Sequence, residues 1–138
     1  MSRERRLLQL AVALGCAVPL LAGGAGVIEG PAMLRGVESG APVDLDSHFR
    51  YLSGLLLAVG LGFVTCIPAI ERKTARFRLL ASLVFAGGLG RLVSLAASGV
   101  PGEGHLFGLT MELVAMPLLV LWQARVASSG KGKAGRPA

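Results

Sequence analysis

Four long apolar segments constrain the fold of this chain more than any other feature. They cover residues 7–28, 51–70, 79–97 and 106–122. A helix needs about 20 apolar residues to cross the hydrocarbon core of a bilayer. Only 16% of the residues are charged, against roughly 25% in soluble domains. We therefore predict an all-α antiparallel four-helix transmembrane bundle, with the lipid bilayer as its solvent and one domain over residues 1–125.

The segments between the apolar runs have the composition of loops. "EGPAMLRGVESGAPVDLDSHFR", residues 29–50, is rich in glycine, proline and acidic residues, which is typical of a connection. "ERKTARFR" joins the second and third runs, and "SGVPGEGH" joins the third and fourth. Residues 126–138 are small, polar and basic, which predicts a disordered tail.

The distribution of charge predicts an orientation in the membrane. The basic residues lie beside alternate ends of the apolar runs: Arg3, Arg5, Arg6, Arg72, Lys73, Arg76, Arg78, Arg125, Lys131, Lys133 and Arg136. The remaining two connections carry the acidic residues Glu29, Glu38, Asp44, Asp46 and Glu103. Lysine and arginine collect on the cytoplasmic side. We expect both termini and the tail to be cytoplasmic.

The first apolar run has an alternative interpretation. "MSRERRLLQLAVALGCAVPLLAGGAG" also has the basic start, apolar middle and small-residue end of a cleaved signal peptide. The apolar run continues to Ile28, which favours a helix that is retained.

Two residues of opposite charge interrupt the third and fourth runs. Arg91 and Glu112 each lie about 10 Å from the outer end of their predicted helix, at 1.5 Å per residue. Consecutive helices with a short connection are antiparallel neighbours. Because charges inside a membrane need partners, we predict an Arg91–Glu112 ion pair. Pro117 lacks a backbone donor and predicts a kink beside Glu112.

Further polar residues lie at the predicted outer ends of the helices. Together with the pair they form one group of candidate ligand-binding residues: Arg50, Arg91, Glu112, Asp46, His48, Glu29 and His105. They predict an outward-facing polar pocket, because ionisable residues inside a membrane mark functional sites. The structural alternative, an ion pair that sets helix register with interfacial polar residues around it, stays open.

Several classes of function lack the sequence signals that they require. No basic face with exposed aromatic residues or known motif predicts nucleic-acid binding. Cys16 and Cys66 lie in apolar runs without the spacing of a metal site or a disulfide framework. No catalytic motif is present, which argues against an enzyme, and no residue pattern identifies a cofactor.

Three stretches resemble a family of small bacterial membrane proteins that is catalogued as domain of unknown function 4345. They are "HFRYLSGLLLAVGL", "GGLGRLVSLAASGVP" and "MELVAMPLLVLWQARV". The most specific elements are Phe49–Arg50, the glycines before Arg91, and Glu112. The resemblance covers about residues 7–125. It implies four helices, a retained first helix and a bacterial inner membrane. A looser similarity to DoxX-like membrane proteins, some linked to quinone-dependent redox systems, carries no activity across.

The sequence leaves more than one function open. The first is a non-catalytic membrane protein whose polar cluster binds a small or lipidic molecule or a partner subunit. The alternatives are a proton-coupled transporter or pore component, which would need a homo-oligomer to enclose a path, and a subunit of a membrane redox complex.

Overall fold

The computed structural model describes residues 3–34, 36–37 and 40–134, and these residues are all-α, as predicted. α1 is Arg3–Glu29, followed by a 3₁₀ turn at Gly30–Met33. α2 is Val43–Cys66, followed by a 3₁₀ turn at Ile67–Ala69. α3 is Thr74–Ser98. The last helix consists of α4, Glu103–Thr110, a π-helical turn, Met111–Ala115, and α5, Met116–Ala134.

In the described part of the chain, four helical stretches are long and apolar enough to cross a membrane by length and composition. They are Arg3–Met33, Val43–Ala69, Thr74–Ser98 and Glu103–Ser129. Many of their leucines and valines are exposed, including Leu14, Leu21 and Leu121 at 67%, 73% and 67%. Exposed apolar side chains on every long helix are compatible with an integral membrane protein, whose outer surface contacts lipid.

The chain forms two compact units. In the first, residues 11–65, glycines bring α1 and α2 close together. A Cβ on Gly23 would lie 2.7 Å from the backbone nitrogen of Leu57, and one on Gly60 would lie 3.2 Å from Pro19. Rising residue numbers on α1 therefore meet falling numbers on α2, so the two helices run in opposite directions. Small residues at such positions allow close packing in lipid.

The second unit comprises residues 3–10 and 66–138, of which the structure describes residues up to 134. Its most deeply buried side chains lie around the connection between α2 and α3: Leu8, Cys66, Ile70, Phe77 and Gln123. The connection includes Pro68, which lacks a backbone donor and cannot continue α2 in a regular way. The carbonyl groups of the connection therefore need other hydrogen-bond donors.

Side chains from both ends of the chain supply those donors. Arg5 donates to the carbonyl oxygen of Pro68 at 2.8 Å, and Gln9 donates to that of Ile67 at 2.7 Å. Gln123 donates to the carbonyl oxygen of Ile70 at 2.8 Å and to Thr74 Oγ1 at 2.9 Å. Paired carbonyls make this irregular backbone compatible with a buried position.

Each of the four long helices begins before its predicted first residue, whereas α2 ends at Cys66, before the predicted end at residue 70. α2 begins at Val43, so Asp44, Asp46 and His48 lie in its first turns and not in the preceding loop. Acidic residues there interact favourably with the positive end of the helix dipole. α3 begins at Thr74, so Arg76 and Arg78 are also helical.

The expected disordered tail is helical through residue 134. Val126 is only 5% exposed, and Arg125 pairs with Glu4 at 3.4 Å, so packing and charge hold the start of this extension. The predicted tail residues 135–138, and Glu38 in the first connection, lie outside the described residues.

Candidate functional site

Arg91 on α3 and Glu112 in the π-helical turn are in direct contact. Arg91 Nε lies 3.0 Å from Glu112 Oε2 and 3.1 Å from Oε1, and its hydrogen is directed at Oε1. Oε2 is buried and receives no hydrogen bond from the residues that the structure describes. The Arg91 side chain is 39% exposed and that of Glu112 is 17% exposed. Arg91 is therefore the more exposed member of this ion pair.

Glycines on both helices create the space for this contact. Gly88, one turn before Arg91, is buried, and a Cβ there would lie 2.9 Å from Glu112 Cβ and 2.7 Å from Leu113 Cδ2. Gly108, one turn before Glu112, would place a Cβ 3.9 Å from the guanidinium carbon. Gly88 thus sets how closely α3 approaches the π-helical turn, and Gly108 leaves room for the arginine head.

The π-helical turn, Met111–Ala115, determines where Glu112 points. The backbone N–H of Met116 donates to the carbonyl oxygen of Met111, five residues earlier. Pro117 follows immediately and has no N–H for the carbonyl of Leu113. The backbone irregularity that Pro117 predicts is thus a local widening of the helix, and such π-helical turns occur frequently at functional sites.

His105 completes the cluster. Arg91 Nη1 and His105 Nδ1 are 2.9 Å apart. A guanidinium has no acceptor, so Nδ1 must accept this bond, and the imidazole is then neutral with its hydrogen on Nε2. The guanidinium therefore divides its donors between a carboxylate and an imidazole. Arg91, Glu112 and His105 are called the Arg91 cluster below.

Arg50 has a different environment from Arg91. It donates from Nε and Nη2 to the two carboxylate oxygens of Asp46, at 2.8 and 3.1 Å. Its Nη1 donates to the carbonyl oxygens of Val27 and Ile28, at 2.6 and 2.9 Å. These carbonyls belong to the last turn of α1, which lacks intrahelical donors. Arg50 is thus a side-chain cap for α1, held in place by Asp46.

Gly30 makes this cap possible. It has φ +67°, a left-handed conformation that favours glycine after a helix. A Cβ at this position would lie 2.6 Å from Asp46 Oδ1 and 2.7 Å from Arg50 Nη2. The Gly30 position therefore both turns the chain and admits the arginine.

The other two predicted site residues are peripheral. His48 and Glu29 are exposed. Glu29 and Asp46 line an open cavity of about 250 Å³, together with Pro31, Ala32, Gly40, Ala41 and Val43. The seven predicted residues thus belong to two groups: Arg50, Asp46, His48 and Glu29 in the first unit, and the Arg91 cluster in the second.

A second polar cluster in the second unit was missed by sequence reasoning. Arg5 pairs with Glu71 at 3.1 Å, and Gln123 is fully buried with its Oε1 unpartnered among the described residues. Glu71 and Gln123 lie at the ends of apolar runs, where polar residues are expected at the interface. The signal was present in Gln9, an amide inside an apolar run, which requires a hydrogen-bond partner in lipid.

Within the described residues, no group of three histidine, cysteine, aspartate or glutamate side chains is arranged to hold a metal ion. Cys16 and Cys66 are buried, and neither forms a disulfide bond among the described residues. The polar side chains of the Arg91 cluster offer charge, hydrogen-bond donors and one unpartnered carboxylate oxygen, which suits recognition of a polar group.

Comparison with known proteins places most of the chain within a protein family. The model of a family described as "Domain of unknown function (DUF4345)" matches residues 7–123. Neither a curated protein nor a solved structure matches the chain. The looser similarity to DoxX-like proteins stays a prediction.

Proposed function

Since the chain belongs to the DUF4345 family, we propose that it is an integral membrane protein whose Arg91 cluster binds the polar head of a small amphiphilic molecule. The observation that carries this proposal is a 39% exposed guanidinium inside a helix apolar enough to cross a membrane. A cation in that setting requires a polar surrounding. Glu112 and His105 provide part of it, and a ligand head would provide the rest.

The number of available hydrogen-bond donors favours the Arg91 cluster over Arg50 as the ligand-binding site. A guanidinium has five N–H groups. Arg50 makes four hydrogen bonds, to Asp46 and to two backbone carbonyls. Arg91 makes two with the described residues, to Glu112 and His105. Arg91 therefore keeps donors for a ligand, and the Nε2–H of His105 adds another.

The charge of the Arg91 cluster favours a neutral ligand head. Arg91 and Glu112 cancel, and His105 is neutral in the tautomer that accepts from Arg91. An anionic head would add an uncompensated charge to a partly desolvated site, which is unfavourable. A carbonyl or ester oxygen would accept from Arg91 and His105 without that cost, while its chain contacts apolar helix surface.

Thermal unfolding in detergent tests this proposal. Monoolein and a short-chain quinone serve as neutral carbonyl probes, and oleate serves as the anionic probe. We expect the neutral probes to raise the Tm of the wild type, since a ligand at 100 times its Kd stabilises by about 2.7 kcal/mol. Oleate should raise it less.

Matched histidine variants provide the control. His105→Ala removes a donor from the Arg91 cluster, so the rise in Tm should shrink, as it should in Arg91→Lys. His48→Ala is the same substitution at an exposed histidine on α2 and should keep the full rise. Equal responses of the two histidine variants would refute the site. Proton uptake by proteoliposomes that disappears in Glu112→Gln would support the transporter alternative instead, with Glu112 Oε2 as the proton acceptor.

A further inference from the structure

The second unit carries a basic surface that the proposed function does not use. Long-range contacts bring the start of α1, the connection between α2 and α3, and α5 together: Arg5 pairs with Glu71, and Glu4 pairs with Arg125. Residues 3–10, 66–78 and 123–129 contain eight cationic and two acidic side chains, a net charge of +6. This part of the unit therefore has a large excess of positive charge.

The two acidic residues are already engaged. Glu71 lies 3.1 Å from Arg5, and Glu4 lies 3.4 Å from Arg125. Arg72 is 84% exposed and approaches Glu71 only to 3.9 Å. Arg3, Arg6 and Arg78 are exposed and make no ion pair with any residue in the described part of the chain. These three guanidiniums are available for an external anion and are called the basic surface.

Apolar side chains lie directly beside the basic surface. Leu7 and Leu10, next to Arg6 on α1, are 47% and 57% exposed, and Leu79, next to Arg78, is 62% exposed. A nucleic acid bound here would leave these leucines in water. A lipid matches both features, because its phosphate meets the guanidiniums while its chains cover the leucines.

We propose that the basic surface binds the phosphate groups of anionic phospholipids at the cytoplasmic face of the membrane. Basic residues just outside a membrane helix attract anionic headgroups. Arginine is suited to this role because its planar fork can hold two phosphate oxygens at once. The proposal depends on the membrane insertion in the proposed function but is independent of the Arg91 cluster.

The single tryptophan of the chain, Trp122, provides the measurement. It precedes Gln123, whose side chain contacts Ile70 and Thr74 in the same unit. The protein is reconstituted in phosphatidylcholine bilayers that contain either brominated phosphatidylglycerol or brominated phosphatidylcholine at equal mole fraction. Bromine quenches tryptophan emission on contact, so the two quenching curves give the relative affinity for the two lipids.

We expect the wild type to prefer phosphatidylglycerol several-fold. Removal of each guanidinium should weaken binding of the anionic lipid by up to about fivefold. The triple variant R3Q/R6Q/R78Q should therefore lose the preference. The triple variant R3K/R6K/R78K keeps the charge without the fork and should retain part of the preference.

Different results separate the explanations. Equal quenching of the wild type by both lipids would overturn the proposed lipid site, and so would an unchanged preference in R3Q/R6Q/R78Q. No quenching by either lipid would instead contradict membrane insertion. Loss of the preference in inorganic phosphate, but not in sodium chloride of equal ionic strength, would show that free phosphate competes with the lipid for the same guanidiniums, as a phosphate contact predicts.

Discussion

Arg50 and Arg91 have the same local sequence pattern, an arginine three residues before a serine, yet their side chains bind different acceptors. Arg50 caps α1 and has four of its five donors occupied. Arg91 contacts Glu112 and His105 and stays 39% exposed. The acceptors around each guanidinium, which the sequence does not identify, decide which residue is the better ligand-binding candidate.

A double-mutant cycle tests the Arg91–Glu112 contact at this scale. Arg91→Leu and Glu112→Leu should each lower the free energy of unfolding, because each leaves a charge without its partner. The double variant should lose less than the sum, with a coupling energy of about 0.5–3 kcal/mol. Thermal or denaturant unfolding in detergent measures all four proteins. Strictly additive losses would show that the two residues do not interact.

At the scale of the elements, the approach of α3 to the last helix depends on one glycine. Gly88 packs against the π-helical turn, and Gly87, its neighbour in sequence, is exposed with nothing within 4 Å of a Cβ. The two glycines are adjacent on α3, but only Gly88 lies on the helix face that contacts the π-helical turn. The same substitution at the two positions therefore distinguishes the effect of close packing on stability from the effect of helix propensity.

Substitution by alanine should destabilise the protein at Gly88 but not at Gly87. Gly88→Ala should lower the free energy of unfolding by about 1–3 kcal/mol, the usual range for overpacking, because Glu112 Cβ and Leu113 must move. Gly87→Ala should leave it unchanged or raise it by up to about 1 kcal/mol, since alanine is the better helix former. Measurement of the Tm of both variants in detergent tests this difference. Equal losses would contradict a specific close contact at Gly88.

The helix ends show why element boundaries differ from the sequence prediction. The start of α2 at Val43 includes charged residues that composition assigned to a loop. Composition marks where lipid contact begins, whereas a helix continues into water when charges complement its dipole and side chains satisfy its terminal groups. The Arg50 cap on α1 is one such contact, and it joins residues more than 20 positions apart.

At the scale of the whole molecule, we propose that all four long helices cross the membrane, with both termini in the cytoplasm. Three groups of basic residues would then lie on the cytoplasmic side of the membrane: those at the start of α1, around the start of α3 and in the C-terminal part of α5. The connections after α1 and after α3 share the other side. An even number of crossings makes the two termini lie on one side.

Cysteine labelling in spheroplasts tests this orientation. Gly102→Cys, in the connection before α4, should react with a membrane-impermeant maleimide in intact spheroplasts. Ser129→Cys, on α5, should react only after permeabilisation. The native thiols Cys16 and Cys66 are buried, so the background should be low. Labelling of Ser129→Cys in intact spheroplasts would contradict the predicted orientation.

The sequence by itself determined the number of long apolar helices, because hydropathy over some 20 residues is a local property that needs no partner. It also singled out Arg91 and Glu112, since a charge in an apolar run demands an explanation wherever it occurs. The tertiary structure alone decided which acceptors surround each arginine, that a π-helical turn holds Glu112, and that Arg5, Gln9 and Gln123 satisfy the backbone between α2 and α3. Most of these outcomes depend on hydrogen bonds between residues up to 63 positions apart. A residue such as Pro117 or Gln9 marks in the sequence where an irregularity or a partner is needed, but no local pattern identifies the distant partner.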